Sequence, residues 1–525
     1  MRFDFVSSSS ERVFSQRPGV AGEVNLFNAS FSPDSTPTLI AQTPQIALGD
    51  RERIDSEEQE SPSQRHIPLF ESTSSGALAR YTPTVADLPA RAGETAVFPH
   101  PTLDYEIRIT RVSTYATAIA AFGSEDVNVT KNEYAMHSPW DASGHYLITH
   151  GGSMGRLLYD GRDYSVIRAL RVGEMRDFQW SPTQPGVGYY FDRSPAALME
   201  YNAATDSHRT VLAMSGLSIN LDAGGTATNL SFTGGFASPM GGAGSISADG
   251  AMIAFRADSG ADAIVMAVEL PGGNVAHALR VVNGAGQPSK SRSAALDRVG
   301  VAPDKSGVAF SFKHAGHNGA GPYVGGPAVN THPGEGDWRF YPFTDFRIAS
   351  DDSSVSLNPE ADHSDMGFAT DGTAITVEDR GEFHNLKTGQ KIGNIWTPAI
   401  YASTGTAYPA THVAFPDDGA PFVILSGYAS STISNPPMLA FKAEAGGDVA
   451  WLGNANVCDT HNYHNSEPHA ALRTNVEYAD GIVGWKVAFT SDNNACAHSG
   501  NGYRNAQAAA SGGLFVAEIW RTKQD

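Results

Sequence analysis

Histidine placement is the feature of this chain most open to chemistry. Of 17 histidines, His137, His363, His412 and His469 each lead a similar apolar run, and His461 and His464 stand just ahead of the last of them. Carboxylates accompany two of these positions: Asp362 and Asp365 around His363, and Glu467 before His469. Neutral imidazole ligates transition metals and also serves acid–base work near neutral pH. A His beside Ser and Asp at the start of a strand equally suits a hydrogen-bonded network that fixes strand register. No HExxH or CxxC spacing decides among these roles.

The runs that follow share one grammar: a short lead, a turn on Asp-Gly or its equivalent, and an apolar strand. HSPWDASGHYLIT begins at His137, SISADGAMIAF at Ser245, MGFATDGTAITV at Met366 and HVAFPDDGAPFVIL at His412. Further copies begin at Gln179, Gly300 and His469, which makes seven at steps of 42 to 66 residues. Uneven repeats of this size, each with a turn and several short strands, mark propeller blades. The expectation is an all-β fold, a seven-bladed β-propeller with an extended, irregular N-terminal arm. In such a ring the first strand of each blade lies nearest the axis, so histidines from different blades can converge. The run Trp485-Lys486-Val487-Ala488-Phe489 reads as a half-buried strand, because alternate side chains point to opposite faces.

Residues 1–95 form the arm and 96–525 the propeller. The arm is serine-rich with an acidic run at 55–60, too little apolar surface to fold alone. It reads either as a disordered leader or as an extended segment that docks on the ring or on a second subunit. The alternating segment 105–112 is expected to complete the last blade beside 513–519, since ring closure removes exposed sheet edges. Aromatic and basic residues at the blade leads, Trp140, Arg176, Trp180, Tyr463 and Arg473, suit either a carbohydrate groove or inter-blade packing.

The net charge of −20 and pI near 5.2 argue against nucleic acid as a partner. No apolar run reaches membrane-spanning length, and the first residues hold no segment of signal-peptide type. Gly151-Gly152-Ser153-Met154-Gly155 matches a nucleophile elbow in letters, but a strand rather than a helix follows, so it reads as a hairpin turn. The glycine-rich stretch 224–244 has no lysine to make a phosphate loop, and no nucleotide cofactor is expected. Cys458 and Cys496 bracket the last repeat and read as a disulfide of an oxidising compartment, or as two buried thiols.

The repeats, above all HSPWDASGHYLIT, HSDMGFATDGTAITV and EPHAALRTN with GWKVAFTSD, resemble secreted bacterial TolB-like propellers and the oligogalacturonate lyase and ulvan lyase propellers. The resemblance implies metal-binding histidines, His363 and His469 with His412 or His464, holding a divalent ion such as Mn, Zn or Ca. It also implies β-elimination on uronate-rich polysaccharide, with His137 or His469 as base and Arg473 or the metal neutralising the carboxylate. The location expected is extracellular, on the cell surface or with a virion. The alternative is a non-catalytic surface, matrix or virion propeller that binds glycan and self-associates through its arm.

Overall fold

The computed structural model describes residues 89, 91–99, 105–123, 132, 137–149, 155–170, 175–232, 246–259, 262–280, 296–312, 338–346, 355–358, 364–378, 381–394, 411–427, 437–445, 449–454, 470–477, 483–491 and 513–521. Most of the arm, together with Cys458 and Cys496, lies outside them.

Among the described residues seven antiparallel sheets follow one another as blades, with a two-stranded hairpin, Ser218–Asn220 and Thr226–Thr228, between the second and the third. The second blade is typical: Arg176–Trp180, Val187–Arg193, Ala196–Asn202 and Ser207–Ala213, each strand paired with the next. The fourth, fifth and sixth blades begin at Leu296–Val301, Ser364–Phe368 and Thr411–Ala414 and have the same four-stranded order. In the first blade the innermost strand is reduced to a bridge, Trp140 opposite Leu147. The third begins at Leu230–Ser231 and regains its partner through the bridge between Ile246 and Ile253.

The seventh blade joins the two ends of the described chain. Its strands Ala471–Glu477, Val483–Ser491 and Gly513–Arg521 are followed by Tyr105–Arg111, with Ile107 opposite Ile519. Thr95–Pro99 adds a fifth strand outside it. Pairing an early strand with the last one closes the ring by building one blade from both ends of the described chain.

A propeller blade is covered on both sides, and the sequence obeys that rule. On Asp262–Glu269, Ile264, Met266 and Val268 pack toward the second blade, while Ala263, Val265 and Ala267 pack toward the fourth. One apolar cluster fills each of the seven blade interfaces in this way. This explains why a strand expected to be half-buried is buried on both faces. Trp485, Val487 and Phe489 face the sixth blade, Ala488 the first, and even Lys486 is only 5% exposed. Ala196–Asn202, Asp262–Glu269 and Glu382–Asn385 are third strands with a fourth beyond them, and so is Arg156–Asp160 when the bridge at Trp140 is counted as the first strand of its blade.

Lys486 survives burial because it is fully engaged at the seam between the seventh and first blades. Its Nζ lies 2.9 Å from Glu518 Oε1, donates to Gly161 O at 2.9 Å and meets Tyr164 Oη at 3.1 Å. Tyr164 in turn donates to Glu518 at 2.9 Å. Removing the charge while keeping an acceptor should expose the cost of that buried ammonium. Glu518→Gln is expected to lower unfolding stability by about 2 kcal/mol, read as a shift of the urea midpoint at unchanged slope.

Candidate functional site

The Asp-Gly turns seen in the sequence lie at one end of the ring, and their side chains do two jobs. Locally, the aspartate accepts the N–H two residues on: Ser143 for Asp141, Ala251 for Asp249, Ser306 for Asp304, Thr373 for Asp371 and Ala420 for Asp418. Such self-bonding tightens a turn. Most of these hairpins also reach across to the neighbouring blade, and together they form a complete circle of latches.

Asp141 of the first blade accepts the Gly186 N–H of the second at 2.8 Å. Thr183 donates to Asp249 O of the third, and Asp249 pairs with Lys305 of the fourth. Asp304 pairs with Lys387 of the fifth at 2.9 Å, and Thr370 of the fifth donates to Glu444 of the sixth at 2.8 Å. Asp418 of the sixth accepts from both Thr474 N at 3.1 Å and Thr474 Oγ1 at 2.6 Å. Arg473 of the seventh then donates to Asp141 O at 2.6 Å and Ala142 O at 2.7 Å, which returns to the first blade.

Inside this circle ionisable side chains gather. His137 and His412 hold equivalent places on their inner strands. Each stands four residues before the turn residue whose carbonyl accepts the turn glycine's N–H, Asp141 from Gly144 and Pro416 from Gly419. Asp365 holds that place in the fifth blade, ahead of Ala369 and Gly372. All three are buried, at 2%, 1% and 7% exposure. Asp365 accepts the N–H of Met366 at 2.8 Å and, across the seam, that of Phe415 at 2.7 Å. Its carbonyl accepts from Thr376, whose hydroxyl receives the Trp338 indole N–H of the fourth blade at 3.2 Å.

Asp417 completes the group. It is half-buried and borders the hub. Burial and the facing Asp365 carboxylate push it up to about 7; Asp418 adds to the rise, while His137 and Arg473 oppose it. A buried carboxyl beside a like charge resists ionising. Burial also pulls the Arg473 guanidinium below its usual value, against the carboxylates of Asp418, Asp141 and Asp417. Asp365 and Asp417 border a cavity of about 40 Å³ with Met366, Phe415, Ile246 and Pro303. It has room for a few waters and none for a sugar ring.

Of the residues expected from sequence to do chemistry, the structure brings His137 and Arg473 to this hub and places His412 on the neighbouring inner strand. Arg473 is spent on the latch to the first blade. His363, His464, His469 and Tyr463 lie outside the described residues. Among the described residues no three of His, Cys, Asp and Glu stand together to hold a metal ion. Trp140 and Trp180 are core residues at 1% exposure, the Trp180 N–H bonded to Pro139 O at 2.9 Å. They line no groove. Arg176 is half-buried on the first strand of its blade. No described helix is long and apolar enough to cross a membrane.

Asp417 itself went unread in the sequence, although it leaves a signal. The sixth repeat has Asp417-Asp418-Gly419 where the third and fifth have one aspartate before the glycine, at Asp249 and Asp371. Asp418 makes the turn and the latch, which leaves the extra carboxylate to point at the hub.

No family model matches the chain, and a comparison with curated proteins finds no match. Among solved structures the chain is similar to an oligogalacturonate lyase from Vibrio parahaemolyticus, at 12% identity and a TM-score of 0.43, over 81% of this chain and 96% of that one. Agreement at that level carries no functional argument. The assignment of seven blades rests on the strand pairing of this chain: it is a seven-bladed β-propeller with its ring closed in the seventh blade.

Proposed function

We propose that the protein binds uronate-rich polysaccharide outside the cell and cleaves it by β-elimination, with the hub as its acid–base site. The observation that carries this reading is the Asp417 carboxyl near pH 7 within electrostatic reach of His137. Elimination breaks the C–H bond α to the uronate carboxylate and the C–O bond to the leaving sugar, and leaves a C=C bond between the two carbons. A neutral His137 would take the carbon-bound proton. A protonated Asp417 would give its proton to the departing oxygen. A carboxyl tuned near the working pH is suited to that exchange. The substrate class comes from the resemblance of the repeats, and catalysis would require the hub to open beyond its small cavity.

The test is an assay on a panel of uronic-acid polysaccharides that follows the ultraviolet absorbance of the unsaturated product, with and without chelator. Absorbance growth is the expected result. Its loss on chelation would make the reaction metal-dependent, and a folded protein silent on every substrate would overturn the lyase reading.

A second reading has a specific observation in its favour. Arg473 is held by two carbonyls, and the cavity admits only water. Those features suit a non-catalytic propeller whose hub carries ring closure alone and whose function is glycan binding or assembly through its arm. Retention on immobilised polyuronate without product formation is what it predicts.

A further inference from the structure

We propose that Asp365 is the positioning residue of the hub, holding segment 415–417 through the Phe415 N–H and presenting its own negative charge to Asp417. The inference rests on the acid–base reading above and adds a residue to it. Asp365 and Asp417 come from different blades, and nothing in their sequence separation brings them together. At the inner-strand position where the first and sixth blades carry a histidine the fifth carries Asp365, and it borders one cavity with Asp417.

Its two carboxylate oxygens are divided between two tasks. Oδ1 accepts from Met366 on its own strand, and Oδ2 from Phe415 on the next blade. Phe415 is fixed on its other side as well: a Cβ built on Gly367 would lie 2.2 Å from its ring, so the ring rests directly on the glycine backbone. The segment leading to Asp417 is thus clamped between a charge-assisted hydrogen bond and a close packing contact. The charge that makes the clamp also borders the cavity shared with Asp417.

The groups facing Asp417 are Asp365 from the fifth blade, His137 from the first, Arg473 from the seventh and Asp418 from its own turn. Of the two carboxylates, Asp418 is committed to Thr474, whereas Asp365 is the larger influence. Asp365 therefore acts on any proton transfer without touching substrate.

The experiment is carbon-13 NMR titration of the Asp417 carboxyl in full-length protein labelled at aspartate, with Asp417→Asn giving the assignment. In Asp365→Asn the amide oxygen still accepts one N–H but the charge is gone, and the Asp417 midpoint is expected to fall by about one pH unit or more. In Asp365→Glu the charge remains, and the midpoint should stay near the wild-type value. A midpoint unmoved in folded Asp365→Asn, or one that falls equally in Asp365→Glu, overturns the proposal. If neither variant folds, Asp365 is a folding residue and the proposal also fails. The titration reads no turnover, so a protein inactive on every glycan would sink the lyase reading and leave this result standing.

Discussion

Asp141→Ala is expected to lower the unfolding free energy by about 3–5 kcal/mol, the largest loss from any single turn residue. Asp141 is wholly buried and accepts four hydrogen bonds: Ser143 N at 3.2 Å, Ser143 Oγ at 2.6 Å, Tyr146 N at 2.9 Å and Gly186 N at 2.8 Å. Three of these donors are backbone N–H groups, and a buried donor left unsatisfied costs about 1–3 kcal/mol. The carbonyl of the same residue receives Arg473, so loosening this turn weakens two latches, to the second blade and to the seventh. Urea unfolding followed by tryptophan fluorescence measures the loss. Asp371→Ala is the matched control, because Asp371 is exposed and bonds only within its own turn; its loss should be far smaller. Equal losses would show that the turns act locally and that the circle of latches adds nothing.

Asp417→Asn is expected to move activity and stability in opposite directions. Turnover should fall by roughly 10²–10⁴-fold, the usual contribution of a general acid. Stability should rise at pH 8 and stay level at pH 4. The sign follows from linkage. The folded carboxyl titrates at about 7 against an ordinary value of 3.8, so the folded protein holds a proton that the unfolded chain has released. That stabilising contribution is full below about pH 4 and is lost as pH rises through 7, where the ionised carboxylate sits beside Asp365. Asparagine carries no charge to penalise, and the gain above pH 7 is on the order of a few kcal/mol. Chemical denaturation at the two pH values checks it. A residue whose removal stabilises the fold while ending turnover is held for function rather than for packing.

The fold was open to reading because each blade repeats a local rule. The Asp-Gly turn or its equivalent and the apolar run after it recur whatever the spacing between copies, and among the described residues five such aspartate turns sit at inner hairpins. The closing strand was legible from its own alternation and from the exposed edges that an unclosed ring would leave. Lys486 shows where a local rule fails. Alternation marks it as the polar, exposed side of a strand, yet Glu518 and Tyr164 from distant parts of the chain satisfy it in the core. The hub was half legible for the same reason. A histidine at a blade start announces itself, and His137 does lie there. That Asp365 and Asp417 share a cavity depends on two blades being neighbours at one register, which no stretch of sequence contains. Arg473 reads in sequence as a groove cation or as inter-blade packing; the structure gives the packing, and its distance from Asp141 along the chain leaves that particular latch out of reach of any local pattern.

The most direct test of the acid–base hub is the pH dependence of kcat/KM on a cleavable polyuronate, for the wild type and for Asp417→Asn. The expected result is a wild-type inflection near 7 that disappears in the variant along with most of the turnover. A folded Asp417→Asn protein that cleaves at the wild-type rate with the same pH profile would contradict it.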